Sequence, residues 1–139
     1  MTTSSLCVNN LQYRCPLCEI NPSSHSFKII KNYPTKIVYY TCPAESISRD
    51  TEKIVEHYDG MLQENGNKEW YWVVDCNGFG FEHALQINTI IQLAKLITKY
   101  STNLKKIIII NTNTFLYNAM KIAKPFLSEK VNSLIYIKE

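Results

Sequence analysis

Apolar positions along the chain change their period several times, and each change marks a predicted element. Two short runs rich in Ile, Val and Tyr, at 26–31 and 36–41, flank Asn32-Tyr33-Pro34 and predict two strands joined by a turn. From residue 46 to about 64, apolar side chains fall at Ile47, Ile54, Val55, Tyr58, Met61 and Leu62, the spacing of a helix, with Asn65-Gly66 as its stop. Residues 70–75, Trp-Tyr-Trp-Val-Val-Asp, are apolar on both parities, as a strand buried under helices should be. A loop over 76–80 leads into a helix predicted over 84–100. In that helix Ile87, Ile90, Ile91, Ala94 and Ile97 form one stripe, and Asn88, Gln92, Lys95 and Lys99 take the other face. Residues 106–111 repeat the buried-strand pattern. A helix over 114–124 is capped by Asn113 or Thr114 and closed by Pro125, which has no N–H to donate. A short helical turn at 128–132 and a strand over 133–138 complete the chain.

The order strand, strand, then three helix–strand units predicts an α/β fold: a mostly parallel sheet with right-handed crossover helices. At 139 residues the chain has the size of one domain. No apolar run approaches the roughly 20 residues that span a bilayer. Met1-Thr-Thr-Ser-Ser-Leu-Cys-Val8 lacks the basic and apolar regions of a secretory signal. Five cysteines without such a signal point to free thiols in a reducing, cytoplasmic setting.

Charge divides the chain. Residues 1–82 carry seven Lys/Arg against ten Asp/Glu, whereas residues 83–139 carry eight lysines against Glu129 and Glu139. The basic half could meet an anionic surface, and Lys121, Lys124 and Lys130 near the last helix are the candidate contacts for anionic headgroups at a membrane. The only arginines, Arg14 and Arg49, lie in the acidic half. Nucleic acid is not an expected partner, since bidentate phosphate and base contacts favour arginine.

The C-terminal three-quarters resembles a CRAL-TRIO (Sec14-like) lipid-binding domain over roughly residues 36–139. In that family a strand ending in aspartate, here Val73-Val74-Asp75, is followed by a loop and a long amphipathic helix. A lysine-flanked apolar strand comes next, matching Leu104-Lys105-Lys106-Ile107 to Asn111. A helix over 115–124 then closes on Pro125-Phe126-Leu127-Ser128, before a strand at Leu134-Ile135-Tyr136-Ile137. Ser101 stands where the family usually has proline. The resemblance implies a short form without the helical region that precedes the domain or the gate helix that follows it. Residues 1–35 would be a cysteine-containing, mostly irregular segment, and 36–139 the truncated domain. It further implies a non-enzymatic module that binds a hydrophobic ligand, a lipid above all.

A sheet with helices on one face has a second apolar face to cover, and Trp70, Trp72, Val74, Ile107 and Ile109 share one parity. They are the expected ligand-binding residues, on an open sheet face. The alternative is a protein–protein interaction module that uses the same face for a partner or for a homodimer.

Three further motifs carry candidate chemistry. Cys15-Pro-Leu-Cys18 supplies half of a tetrahedral zinc site at good spacing, with Cys7, His25 and Cys42 as candidates to complete it. Such a zinc would be structural, and no other cofactor is expected. Gly78-Phe-Gly80 lacks the third glycine of a dinucleotide fingerprint, because His83 stands in its place. Cys76, with His57 or His83 as a base, is the one candidate nucleophile, and it is disfavoured because nothing in the sequence turns His83 back toward it.

Overall fold

The computed structural model describes residues 14–21, 24–65 and 67–138. Five strands form one sheet: β1 (Phe27–Asn32), β2 (Lys36–Thr41), β3 (Glu69–Asp75), β4 (Leu104–Ile110) and β5 (Ile135–Ile137). Their spatial order is their chain order. The β1–β2 pair is antiparallel, with a register shift between Ile29 and Lys31, and every later pair is parallel. The α/β, mostly parallel architecture is thus the expected one.

Strand order decides where the helices go. The parallel strands are laid down in one direction, so crossovers of a single hand all fall on the same face. Helix α2 (Thr51–Gln63) links β2 to β3, α4 (Ile87–Lys99) links β3 to β4, and α5 (Thr114–Ala123) with α6 (Glu129–Leu134) links β4 to β5. The buried strand residues Ile37, Tyr39, Trp70, Ile107 and Ile109 all point to this layer. Val38, Tyr40, Tyr71, Val73, Ile108 and Ile110 point the other way, and no described helix packs over them.

Capping fixes the helix starts. The Asp50 carboxylate accepts the Lys53 N–H at 3.3 Å, the Asn113 amide oxygen accepts Leu116 N–H at 3.0 Å, and Ser128 Oγ accepts Val131 N–H at 3.1 Å. Helix α2 therefore begins at Thr51 instead of residue 46, and Ile47 stays exposed. Gly66, read as part of the helix stop, lies outside the described residues.

The long helix expected over 84–100 is two pieces. A single turn, α3 (Phe81–Ala84), precedes α4, with non-helical Gln86 between them. His83 causes part of the break, since its Nδ1 accepts the Gly80 N–H at 2.9 Å and closes a local turn. Gly78, at φ +80°, turns the preceding loop, and a Cβ there would sit 3.0 Å from the Ala44 Cβ. In the N-terminal segment the structure adds a five-residue helix, α1 (Pro16–Ile20), and it hydrogen-bonds β1 into the sheet.

Candidate functional site

Between the sheet and the α4–α5 pair lies an apolar cavity of about 360 Å³. Its floor is built by register: Trp72 pairs with Ile107 and Val74 with Ile109, so four large side chains from two strands form one patch. Ile90, Leu93 and Ile97 of α4 and Leu116 and Met120 of α5 form the walls. The space exists because Ala94 and Ala119 stand among these residues on the two facing helices. A larger side chain at either position would occupy it. The one polar group of the floor is already satisfied, as Trp72 Nε1 donates to Thr41 Oγ1 at 2.8 Å. Lys121 and Lys124, both exposed, also stand in the lining of this cavity, at its rim.

Four of the five residues expected to bind ligand, Trp72, Val74, Ile107 and Ile109, meet in this cavity. Trp70 does not. It shares their parity but sits toward the far end of β3, 2% exposed, with its Nε1–H donated to the Tyr100 carbonyl at 3.1 Å. The face needs correction as well, because these residues lie beneath the helices and not on an open sheet face. Parity shows which side chains share a face, but the direction of the crossovers decides which face is covered. Of the three lysines expected at an anionic surface, Lys121 and Lys124 line the cavity. The third, Lys130, donates its Nζ to the Ser101 and Thr102 carbonyls at 2.7 and 3.1 Å.

A second cluster sits at the opposite side of the helical layer. Cys15 and Cys18 flank the first turn of α1, His25 precedes β1, and His57 projects from α2. Their ligand atoms all lie within 4.8 Å of one another. His25 Nδ1 is 3.5 Å from Cys15 Sγ and 3.4 Å from Cys18 Sγ, while His57 Nδ1 is 3.7 Å from Cys18 Sγ. Burial holds both imidazoles below their ordinary pKa, and for His25 the neighbouring His57 adds to the effect. Burial likewise raises the Cys18 thiol, the reverse of what a redox-active cysteine needs. Cys42, one candidate to complete the set, points away and donates to the Asn77 carbonyl at 3.6 Å. Cys7, another candidate, lies outside the described residues. His57 is the member that sequence reasoning missed. Its only signal was its place on the buried stripe of α2 with Ile54 and Tyr58, since nothing local ties it to a thiol 39 residues away.

The nucleophile reading of Cys76 finds no support in the geometry. The thiol is fully buried and pushed up to about 12 by burial first, with Asp75 and Cys42 adding to it. His83 is turned into its own loop, and His57 belongs to the cysteine cluster. Asp75 is instead a structural hub at the end of β3. It accepts from Tyr40 Oη at 2.7 Å, Asn111 Nδ2 at 2.9 Å and the Asn77 N–H at 3.0 Å. Burial works to raise its carboxyl, but these three bonds outweigh that and leave it below the ordinary aspartate value. No described helix is long and apolar enough to cross a membrane.

Residues 17–139 match the CRAL/TRIO domain family. Among solved structures, a crystal structure of Sfh5 superposes with a TM-score of 0.65 at 14% sequence identity. That match covers 86% of this chain and 55% of the Sfh5 chain, so the chain spans just over half the length of that neighbour. At such identity the likeness concerns the fold alone. No curated protein matches the chain.

Proposed function

The chain belongs to the CRAL/TRIO domain family, and from that premise we propose that it is a non-enzymatic module that binds a lipid in the cavity between the sheet and helices α4 and α5. The family carries hydrophobic-ligand binding, typically of lipid, and this cavity is where the chain offers an apolar space. One observation supports the assignment above the others: the cavity is apolar on nearly every side and has two lysines, Lys121 and Lys124, in its lining. An acyl chain would lie along Trp72, Val74, Ile107 and Ile109, and an anionic headgroup would meet the lysines. At about 360 Å³ the space stands at the small end of the roughly 300–1,000 Å³ usual for ligand sites. It suits a single chain better than a whole diacyl lipid. Cytoplasmic conditions suit the protein, since the four described cysteines are free thiols, and the two lysines would also serve a passing contact with an anionic membrane.

Native mass spectrometry of the purified protein, with organic extraction of what co-purifies, tests this reading. A bound lipid should survive gel filtration. Replacing Lys121 and Lys124 together by glutamine should weaken anionic-lipid uptake by about fivefold for each charge lost, since a lysine near such a surface contributes about 1 kcal/mol. Protein that takes up no fatty acid or phospholipid at micromolar concentration would remove the proposal.

A second reading has its own observation. The sheet face that no described helix covers carries Val38, Tyr40, Tyr71, Val73, Ile108 and Ile110, all half-buried, with exposed Tyr136 at its edge. Monomers seldom leave such a patch open. A homodimer or a partner protein seated there would make the chain an interaction module. A ligand-free dimer in the same spectrum, dissociated by Val73→Lys, would favour that reading.

A further inference from the structure

We propose that Cys15, Cys18, His25 and His57 together hold one tetrahedral zinc ion, which fastens the N-terminal segment to helix α2. The four ligand atoms lie within 4.8 Å of one another, and none of these residues lines the cavity proposed for lipid.

Zinc–sulfur bonds of about 2.3 Å and zinc–nitrogen bonds of about 2.05 Å, at tetrahedral angles, place a sulfur and a nitrogen ligand about 3.6 Å apart. Three of the four sulfur–nitrogen separations in the cluster are 3.5, 3.4 and 3.7 Å, and the fourth, Cys15 to His57, is within 4.8 Å. The same His25 nitrogen stands against both sulfurs, which suits an edge of a ligand tetrahedron better than any pairwise hydrogen bond. A ring nitrogen has one lone pair or one proton to offer, and cannot satisfy two thiols.

One member of the donor set, His57, has the outer support that metal sites use, while the second ring nitrogen of His25 is buried without a hydrogen-bond partner. His57 Nε2 lies 2.8 Å from the Phe27 carbonyl, so this nitrogen carries the proton and donates it. Its Nδ1 is then the lone-pair nitrogen and faces the sulfurs, the tautomer that a metal requires. Cys15 and Cys18 are two residues apart across the start of α1, the common spacing for two thiolates on one ion. Binding would exchange their two thiol protons for the cation, leaving a neutral Cys2His2 centre in a low-dielectric site.

The segment needs such a fastening. Helix α1 has five residues, buries none of them within its span and has no side-chain cap at its N-terminus. Little apolar packing is available to hold it, whereas one ion would join it to the entry of β1 and to the middle of α2. With four protein ligands the centre is closed, so its role is structural.

The test uses the full chain, stripped with a chelator under reducing conditions and titrated with Co²⁺ alone. The expected result is one ion per chain, with the strong visible d–d bands of a tetrahedral ion and a near-ultraviolet thiolate charge-transfer band, both erased by Zn²⁺. Cys18→Ser and His57→Asn should each weaken binding by more than the roughly 10–100-fold that loss of an outer-shell partner costs. Cys7→Ser and Cys42→Ser should leave the spectrum unchanged. Limited proteolysis should cut before β1 faster in the metal-free protein. The wild-type Co²⁺ spectrum decides the matter even if a variant fails to fold. Weak octahedral bands, binding unaffected by His57→Asn, loss of binding on Cys7→Ser, or a mass lower by two hydrogens from a Cys15–Cys18 disulfide would each overturn the assignment.

Discussion

The two ends of the helical layer solve the same packing problem differently. Around β1, β2 and α2 the core is aromatic and closely stacked, with only smaller cavities beside it. Phe27 stacks on Tyr58 at 4.1 Å and on Tyr39 at 4.9 Å, and Trp70 meets Tyr39 edge-on at 5.6 Å. Around β4, α4 and α5 the core is mostly aliphatic and hollow, with Ala94 and Ala119 among the residues around a cavity of about 360 Å³. Flat rings close on one another with little waste, whereas branched side chains around two alanines leave a void. The stacked end holds the chain together, and the hollow end has room for something else.

The strongest way to break this contrast is to empty the stacked end. Phe27→Ala should cost about 3–5 kcal/mol, because Phe27 is 3% exposed and stacks on two rings at once. Urea denaturation would read this directly, and a loss below about 1 kcal/mol would mean the aromatic end is not the anchor.

A smaller effect comes from pH. Burial pushes the Tyr58 phenol up to about 12. A free tyrosine ionises near 10, so the folded value is the higher one. Its contribution to stability is complete below about pH 10 and is lost as pH rises toward 12, by at most about 1.4 kcal/mol per pH unit. Thermal melts across this window should fall for the wild type and fall less for Tyr58→Phe. Equal slopes would show that the phenol reaches water in the fold.

The smallest effect sharpens the contrast from the hollow side. Ala119→Phe should fill the cavity with little change in melting temperature. In a packed core the same insertion would cost about 1–3 kcal/mol. Uptake of a fluorescent fatty acid should drop about tenfold, or about 1.4 kcal/mol. Unchanged uptake in a stable variant would place the ligand elsewhere, with the sheet face opposite the described helices as the next location to probe.

Much of this was legible in the sequence, for reasons that differ by element. The strands at 36–41, 70–75 and 106–111 announced themselves as apolar runs, and the cap at Asn113 was one of the two expected, whereas Asp50 and Ser128 were read as parts of their helices and cap them instead. The break at Gln86 was not legible. Apolar spacing runs smoothly through it, and the His83–Gly80 bond that helps make it is a three-dimensional event. Period-two reasoning grouped Trp72 and Val74 with Ile107 and Ile109, because parity is a local property. It also grouped Trp70 with them, since parity says nothing of position along a strand. That the helices cover this face follows from strand order, which no local pattern encodes. His57 shows the same limit: its partners reach it through the fold and not through spacing.

The strand order has a temporal consequence. Each strand pairs with the one synthesised just before it, so no gap in the sheet waits for a late segment to fill it. As the chain leaves the ribosome, the β1–β2 hairpin can form first and serve as a template for β3 and then β4. The longest waits are those for the intervening helices. Sheets that insert a late strand between early ones leave two edges open throughout synthesis, and unpaired edges invite aggregation. Here only one growing edge is exposed at a time, and it ends on a strand of three residues, β5.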